Sequence, residues 1–451
     1  MPRPVPHTLP RRLSRRMALL GAAGTVSGCS TIEGWFFPPR VKLQGERDAV
    51  LAGETLLQPD DGLEAEQVIL PPPDPQAEWP QAGGGPTHLQ EHPAAGDRLT
   101  VAWSTSLGSG SSTRQRILAQ PIVADGVVYA MDAYSEISAL DLATGRRRWR
   151  IDARPEEDRD GGIGGGLAVD GPQLVAVNGW GEVLGIEAAT GSIQWRRRLP
   201  APARGGPGVF QGRAFVPTVE GQLTATNLAD GSSAWTWRGA AGGTGLLGIP
   251  APAVDAASVI AAFPTGELAA LRPDNGRVLW VESLAATGGL APLSEIASIR
   301  AAPIIAGGRA IAISSGGLFV SLDQRSGRRV WEREIAGVET PWVAGDWIFV
   351  ITTNQILAAV LRRDGRVKWV QQLPAFEDQV KLKGPIRWAG PALAGDRLIV
   401  ANSLGRAQAI SPYTGEVMGE LRLPGKVSVG MVVANQTLFL VTDDATLVAL
   451  R

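Results

Sequence analysis

The chain has 451 residues, 44% of them hydrophobic, with 43 lysines and arginines against 44 acids, three histidines (His7, His88, His92) and a single cysteine, Cys29. That balance excludes the strongly basic footprint of a nucleic-acid binder. With no histidine or cysteine after His92, neither a Ser/His/Asp triad nor a His/Cys metal site can be assembled from the last four fifths of the chain.

Residues 1–28 read as an export signal. Arg11, Arg12, Arg15 and Arg16 precede a weakly apolar stretch, Met17 to Gly28, too short to span a bilayer, which ends in the small residues Val26-Ser27-Gly28 before Cys29. A lone cysteine at that point resembles a bacterial lipobox, which implies lipidation of Cys29. Ser14-Arg15-Arg16-Met17 also resembles a twin-arginine signal, and the choice between the two export routes stays open. In the lipoprotein sorting rule, Ser30 in place of aspartate implies release to the outer membrane. Loss of the signal removes five arginines and no acid, leaving a net charge of about −6.

Residues 29–98 are expected to form an extended tether and lead-in, because Pro38-Pro39, Pro59, Pro71-Pro72-Pro73, Pro75 and the run Gly83-Gly84-Gly85 break regular elements. From residue 99 to 451 the chain is repetitive. Gly145/Trp149, Gly191/Trp195, Gly231/Trp235, Gly276/Trp280, Gly327/Trp331 and Gly365/Trp369 repeat a glycine-to-tryptophan spacing, and Trp103 stands 46 residues before Trp149. Later tryptophans follow at 46, 40, 45, 51 and 38 residues, the length of four short strands and their turns. Pro121 to Trp149 illustrates one unit: Ile122 to Ala124, turn Asp125-Gly126, Val127 to Ala130, Ile137 to Leu140, turn Thr144-Gly145, Arg146 to Trp149.

A seventh unit, Pro391 to Glu420, has Gly419 where tryptophan should stand, and an eighth offers only Ser428 to Ala434, Thr437 to Thr442 and Thr446 to Leu450. Leu99 to Trp103 supplies its missing strand. The predicted fold is therefore all-β, an eight-bladed propeller of four-stranded antiparallel blades, closed by the N-terminal strand joining the C-terminal blade and leaving no open edge between first and last blades. The tryptophans are expected to pack between blades. Gly161 to Gly166 reads as a loop and inner strand crowded at the axis, and Asp132, Glu136, Asp443 and Asp444 as solvated turn carboxylates.

The wording Ala-Leu-Asp-x-x-x-Gly-x-x-x-Trp resembles the quinoprotein propellers, whose enzymes hold pyrroloquinoline quinone under a vicinal disulfide with a calcium or lanthanide ion. A ring without cysteine cannot form that disulfide, so no enzyme, cofactor or metal is expected. From Ser283 to Leu373, the segments Ala285-Ala286-Thr287-Gly288, Ser294-Glu295-Ile296, Ala302-Pro303-Ile304-Ile305 and Leu322-Asp323-Gln324-Arg325-Ser326-Gly327 resemble the BamB family, lipoprotein propellers of the outer-membrane β-barrel assembly machinery. Gly45 to Leu51, Leu70 to Pro73 and Trp79 to Gly84 are similar to the lead-in of its alphaproteobacterial members.

That resemblance implies a non-catalytic scaffold, anchored through Cys29 at the periplasmic face of the outer membrane. Its implied partners are the POTRA domains of BamA, other subunits of the machinery and unfolded barrel clients. The family's contacts lie in two loops, one bearing Leu-x-Leu-Arg and one Asp-x-Asp. Here the first reads Gly245-Leu246-Leu247-Gly248-Ile249-Pro250, with Leu247 at the arginine position, and the second runs from Glu295-Ile296 through Arg300 without the paired aspartates. Leu246, Leu247, Ile249, Glu295, Ile296 and Arg300 are the candidate contacts. A quinone-dependent oxidoreductase and a periplasmic propeller with another ligand or protein partner remain as alternatives.

Overall fold

The structure is a computed structural model that describes residues 57–156, 162–240, 248–284 and 298–451. The described residues contain strands and turns and no helix. Eight four-stranded antiparallel sheets hold all but two of their 34 strands. Blades 1 to 7 run in chain order over residues 122–152, 165–198, 208–238, 253–283, 304–334, 342–372 and 388–422. Blade 8 joins Val432–Ala434, Thr437–Val441 and Thr446–Leu450 to the N-terminal strand Val101–Ser106, so the closure expected from Trp103 is present.

The strand pattern follows from how blades stack. The second and third strands of a blade, such as Val127–Met131 and Ile356–Leu361, are buried along their whole length because another blade covers each face. Continuous apolar runs suit that position. Outermost strands such as Val101–Ser106 and Ser233–Arg238 alternate between exposed and half-buried residues, as a one-sided surface requires. The turn before each outermost strand explains the recurring wording. Asp141 accepts from the Thr144 amide (3.0 Å) and hydroxyl (2.8 Å), and Gly145 follows at φ +69°, where a side chain would be strained. Asp323, Ser326 and Gly327 repeat the device.

Each repeat tryptophan reaches into the following blade. The Trp149 indole N–H donates to the Ala188 carbonyl at 2.9 Å, Trp195 to Leu228 at 2.8 Å and Trp280 to Gln324 at 2.8 Å, and Trp103, Trp235, Trp331 and Trp369 do the same to Leu142, Pro273, Arg362 and Pro412. The ring then covers the next blade's turn glycine. A Cβ at Gly145 would lie 2.5 Å from Trp103, and one at Gly327 2.7 Å from Trp280. Glycine and tryptophan of one repeat therefore serve two different seams.

Several expectations change. The innermost strand of blade 8 begins at Val432, not Ser428. A hairpin that the repeat did not announce, Phe376–Asp378 with Lys383–Pro385, projects between blades 6 and 7 with Val380 and Leu382 exposed at its tip. Asp132 is buried rather than solvated and accepts from the amides of Ser109, Tyr134 and Glu136 at 2.8, 2.8 and 2.9 Å. Desolvation still pushes its carboxyl above the usual range, against the pull of those bonds. Glu136 pairs with Arg150, and Asp443 accepts from Ser428 at 3.0 Å. Gly165 and Gly166 do sit in an inner strand with no room for a side chain: a Cβ at Gly166 would meet the Gly206 Cα at 2.4 Å.

From residue 57 onward, the segment expected as extended tether and lead-in lies against the ring. Asp60 accepts from the Val367 amide and pairs with Arg333, each at 2.7 Å, and Lys368 donates to the Leu63 carbonyl at 2.6 Å. Residues 74–94 then pass inside the ring, touching one blade after another.

Candidate functional site

Two features could serve function: the loops that enter the innermost strands, and the axial cavity they surround. Leu246, Leu247, Glu295, Ile296 and the lipidation candidate Cys29 lie outside the described residues. Ile249 is buried, its carbonyl so close to Gly205 that a Cβ there would approach to 1.7 Å. It holds the loop in place rather than presenting a side chain to a partner. Arg300 is half-exposed, with its Nη2 3.9 Å from Glu339 Oε1. Structure therefore brings Ile249 and Arg300 to one rim, that of the cavity.

The cavity encloses about 150 Å³ and every blade contributes to its wall. Much of that wall is glycine main chain, from Gly165, Gly166, Gly205, Gly206, Gly390 and Gly430, because eight converging strands leave little space for side chains. Arg204, Arg300 and Glu339 supply its charge. Desolvation pushes the Glu339 carboxyl above its ordinary range, while Arg300 and the Gly390 amide act the other way. At one end stand the Trp79 and Trp342 rings, stacked at 5.7 Å and 29°. The sequence pointed to the loops through their leucines; it carried no signal for Glu339, which reaches the axis only once blades 5 and 6 are side by side.

Residues 135–371 match the family model described as outer membrane protein assembly factor BamB, and residues 90–170 match one for the β-propeller domain of glucose, ethanol and alcohol dehydrogenases. Among curated relatives, outer membrane protein assembly factor BamB of Bordetella pertussis is 24% identical over 81% of this chain and 90% of its own length. Its counterpart in Yersinia pestis is 26% identical over 66% and 76%. The crystal structure of BamB from Moraxella catarrhalis superposes with a TM-score of 0.66 at 18% identity, covering 78% of this chain and 99% of that one. Quinohemoprotein alcohol dehydrogenase from Comamonas testosteroni gives 0.64 at 15% identity, covering 84% and 81%. Both superpositions speak to the fold.

The dehydrogenase likeness raises the question of a quinone at the axis. A volume of about 150 Å³ is below the roughly 300–1,000 Å³ of small-molecule sites. Trp79 and Trp342 stack in its wall, and among the described residues no three His, Cys, Asp or Glu side chains are grouped to hold a metal ion. These residues do not fit a tricyclic quinone with its metal.

Proposed function

Since the chain belongs to the outer membrane protein assembly factor BamB family, we propose that it is a non-catalytic scaffold of the outer-membrane β-barrel assembly machinery. In this reading it docks on the periplasmic POTRA domains of BamA and assists the insertion of barrel proteins, held at the periplasmic face of the outer membrane through a lipid on Cys29. The observation that carries the reading is the family match over 135–371, which runs from the third strand of blade 1 through the last strand of blade 6.

Physical features of the ring agree with a scaffold. Blades stitched by tryptophan seams and closed by both ends of the propeller give a rigid body, and partners bind rigid bodies at lower entropic cost. In this reading Leu246 and Leu247 supply apolar surface that docking removes from water. Arg300, half-exposed at the cavity rim, supplies a charge in the segment that enters blade 5. Affinity purification of the full chain from detergent-solubilised outer membranes tests the proposal: BamA is expected among the recovered proteins in stoichiometric amount. Recovery of the propeller without BamA, or its extraction from the membrane by salt alone, would overturn the scaffold and the anchor respectively.

A further inference from the structure

The innermost strand of a propeller blade pairs on one side only, so its other edge faces the channel with unpaired main-chain groups. Eight such edges surround this axis. Residues 74–94 bond to the innermost strand in blades 1 to 6 and to the turn that follows it in blades 7 and 8. The Asn435 amide of blade 8 donates to the Gln76 carbonyl at 2.6 Å; Trp79 and Val123 of blade 1 exchange both main-chain bonds, at 2.7 and 2.8 Å; and Val169 of blade 2 donates to Pro80 at 2.8 Å. At blade 3 the Gln81 side chain stands in for a strand, its Oε1 accepting from the Val209 amide at 2.8 Å and its Nε2 donating to the Val209 carbonyl at 3.2 Å.

The circuit continues in order. Val254 of blade 4 donates to Pro86 at 2.6 Å, Ile305 of blade 5 to Thr87 at 2.8 Å, Glu91 donates to Val343 of blade 6 at 3.0 Å, and Gly395 of blade 7 donates to Pro93 at 3.0 Å. It then closes on itself, for Asp74 donates to the His92 carbonyl at 2.8 Å and Ala94 to Asp74 at 2.7 Å. Three of the carbonyls used belong to prolines. Those positions need an acceptor and nothing else, and a proline leaves no N–H stranded in the channel. Bending so short a segment into a ring takes left-handed residues, found at Gly83, Gly84, His88 and Glu91.

We infer that the inner face of this propeller is a circular binding site for one extended peptide, that residues 74–94 are its resident occupant, and that the channel is thereby shut to any polypeptide from outside. The inference goes beyond the scaffold reading and does not depend on it. Side chains add to the main-chain contacts: Trp79 stacks on Trp342 across the axis, the Trp342 indole donates to the Glu91 carbonyl at 2.8 Å, and His88 Nδ1 lies 2.7 Å from the Pro303 carbonyl. A tethered segment binds at high effective concentration, but contacts this numerous should hold it without the tether. Extended clients are left with the two faces of the ring and its outer strands.

Inserting protease sites after the exposed residues Ile69 and Asp97 of the full chain, then cutting both, frees residues 70–97 from covalent attachment. The freed segment is expected to co-elute with the ring in native buffer and to separate in denaturant, and Trp79→Ala/Gln81→Ala is expected to speed its release at least tenfold. Release accompanied by unfolding also supports the site, since the ring then requires its occupant. A segment that leaves while the ring keeps its circular dichroism and melting temperature overturns it. Hydrogen exchange on the uncut chain is an independent measurement: the same double variant should accelerate the Val123 and Val209 amides at least tenfold over wild type with outer-strand amides unchanged, and unaltered rates there overturn the inference as well.

Discussion

Trp280 contributes in two ways that a smaller residue cannot reproduce. Its ring is nearly buried against Gly327 of the following blade, and its N–H satisfies the Gln324 carbonyl. Trp280→Ala is expected to cost about 3–5 kcal/mol, read as a lowered urea midpoint with an unchanged slope. A midpoint equal to wild type would remove the tryptophans from the account of the seams. His88 carries a different expectation. Burial lowers its imidazole from 6.5 to about 4, although the Pro303 carbonyl pulls the other way. Between those values the unfolded chain binds a proton that the folded one refuses, so stability is intact above pH 6.5 and is lost as pH falls toward about 4. The loss amounts to about 3 kcal/mol. Urea melts across this range should show a shallower pH dependence for His88→Gln than for wild type; parallel profiles would count against the assignment.

At the level of the element, a seam needs a tryptophan from one blade and a glycine turn from the next. Blade 7 offers Gly419 in the tryptophan position, with open space around it. Blade 8 has no glycine turn to receive a ring there, because its third and fourth strands come from opposite ends of the propeller and are joined by the Thr100–Arg451 amide–carbonyl pair at 2.7 and 2.9 Å. The missing tryptophan is thus matched to a missing receptor, which the bare repeat presented as a degenerate copy. Gly419→Trp should therefore change stability by no more than about 0.5 kcal/mol, far from the several kcal/mol of an intact seam. A gain comparable to the Trp280 loss would show that a receptor exists. The hairpin Phe376–Pro385 was invisible to the repeat for a related reason: it lies between units, where no stacking blade imposes a pattern.

For the molecule as a whole, the ring presents two faces, an outer rim and a channel occupied by its own residues 74–94. In the proposed scaffold, Leu246 and Leu247 take part in partner docking. Leu246→Glu/Leu247→Glu should reduce BamA recovery at least tenfold, because a carboxylate in an apolar interface must be desolvated without a partner. Undiminished recovery by a variant that melts like wild type would reassign docking to other loops.

Spacing of glycine and tryptophan determined the blade number, the closing strand and the packing role of Trp103 to Trp369, since these follow from periodicity and local turn chemistry that a linear chain displays openly. Pro80, Pro86 and Pro93 stand in the segment that the sequence marked as free of regular elements. Their work as acceptors for Val169, Val254 and Gly395 was not, because each hydrogen bond joins residues far apart in sequence and exists only when eight blades converge on one axis. The same convergence buried Ile249, placed Glu339 beside Arg300, and brought residues 74–94 into the channel. Local patterns report neighbours along the chain; which main-chain edges stay unpaired, and what segment fills them, is settled by the closed ring.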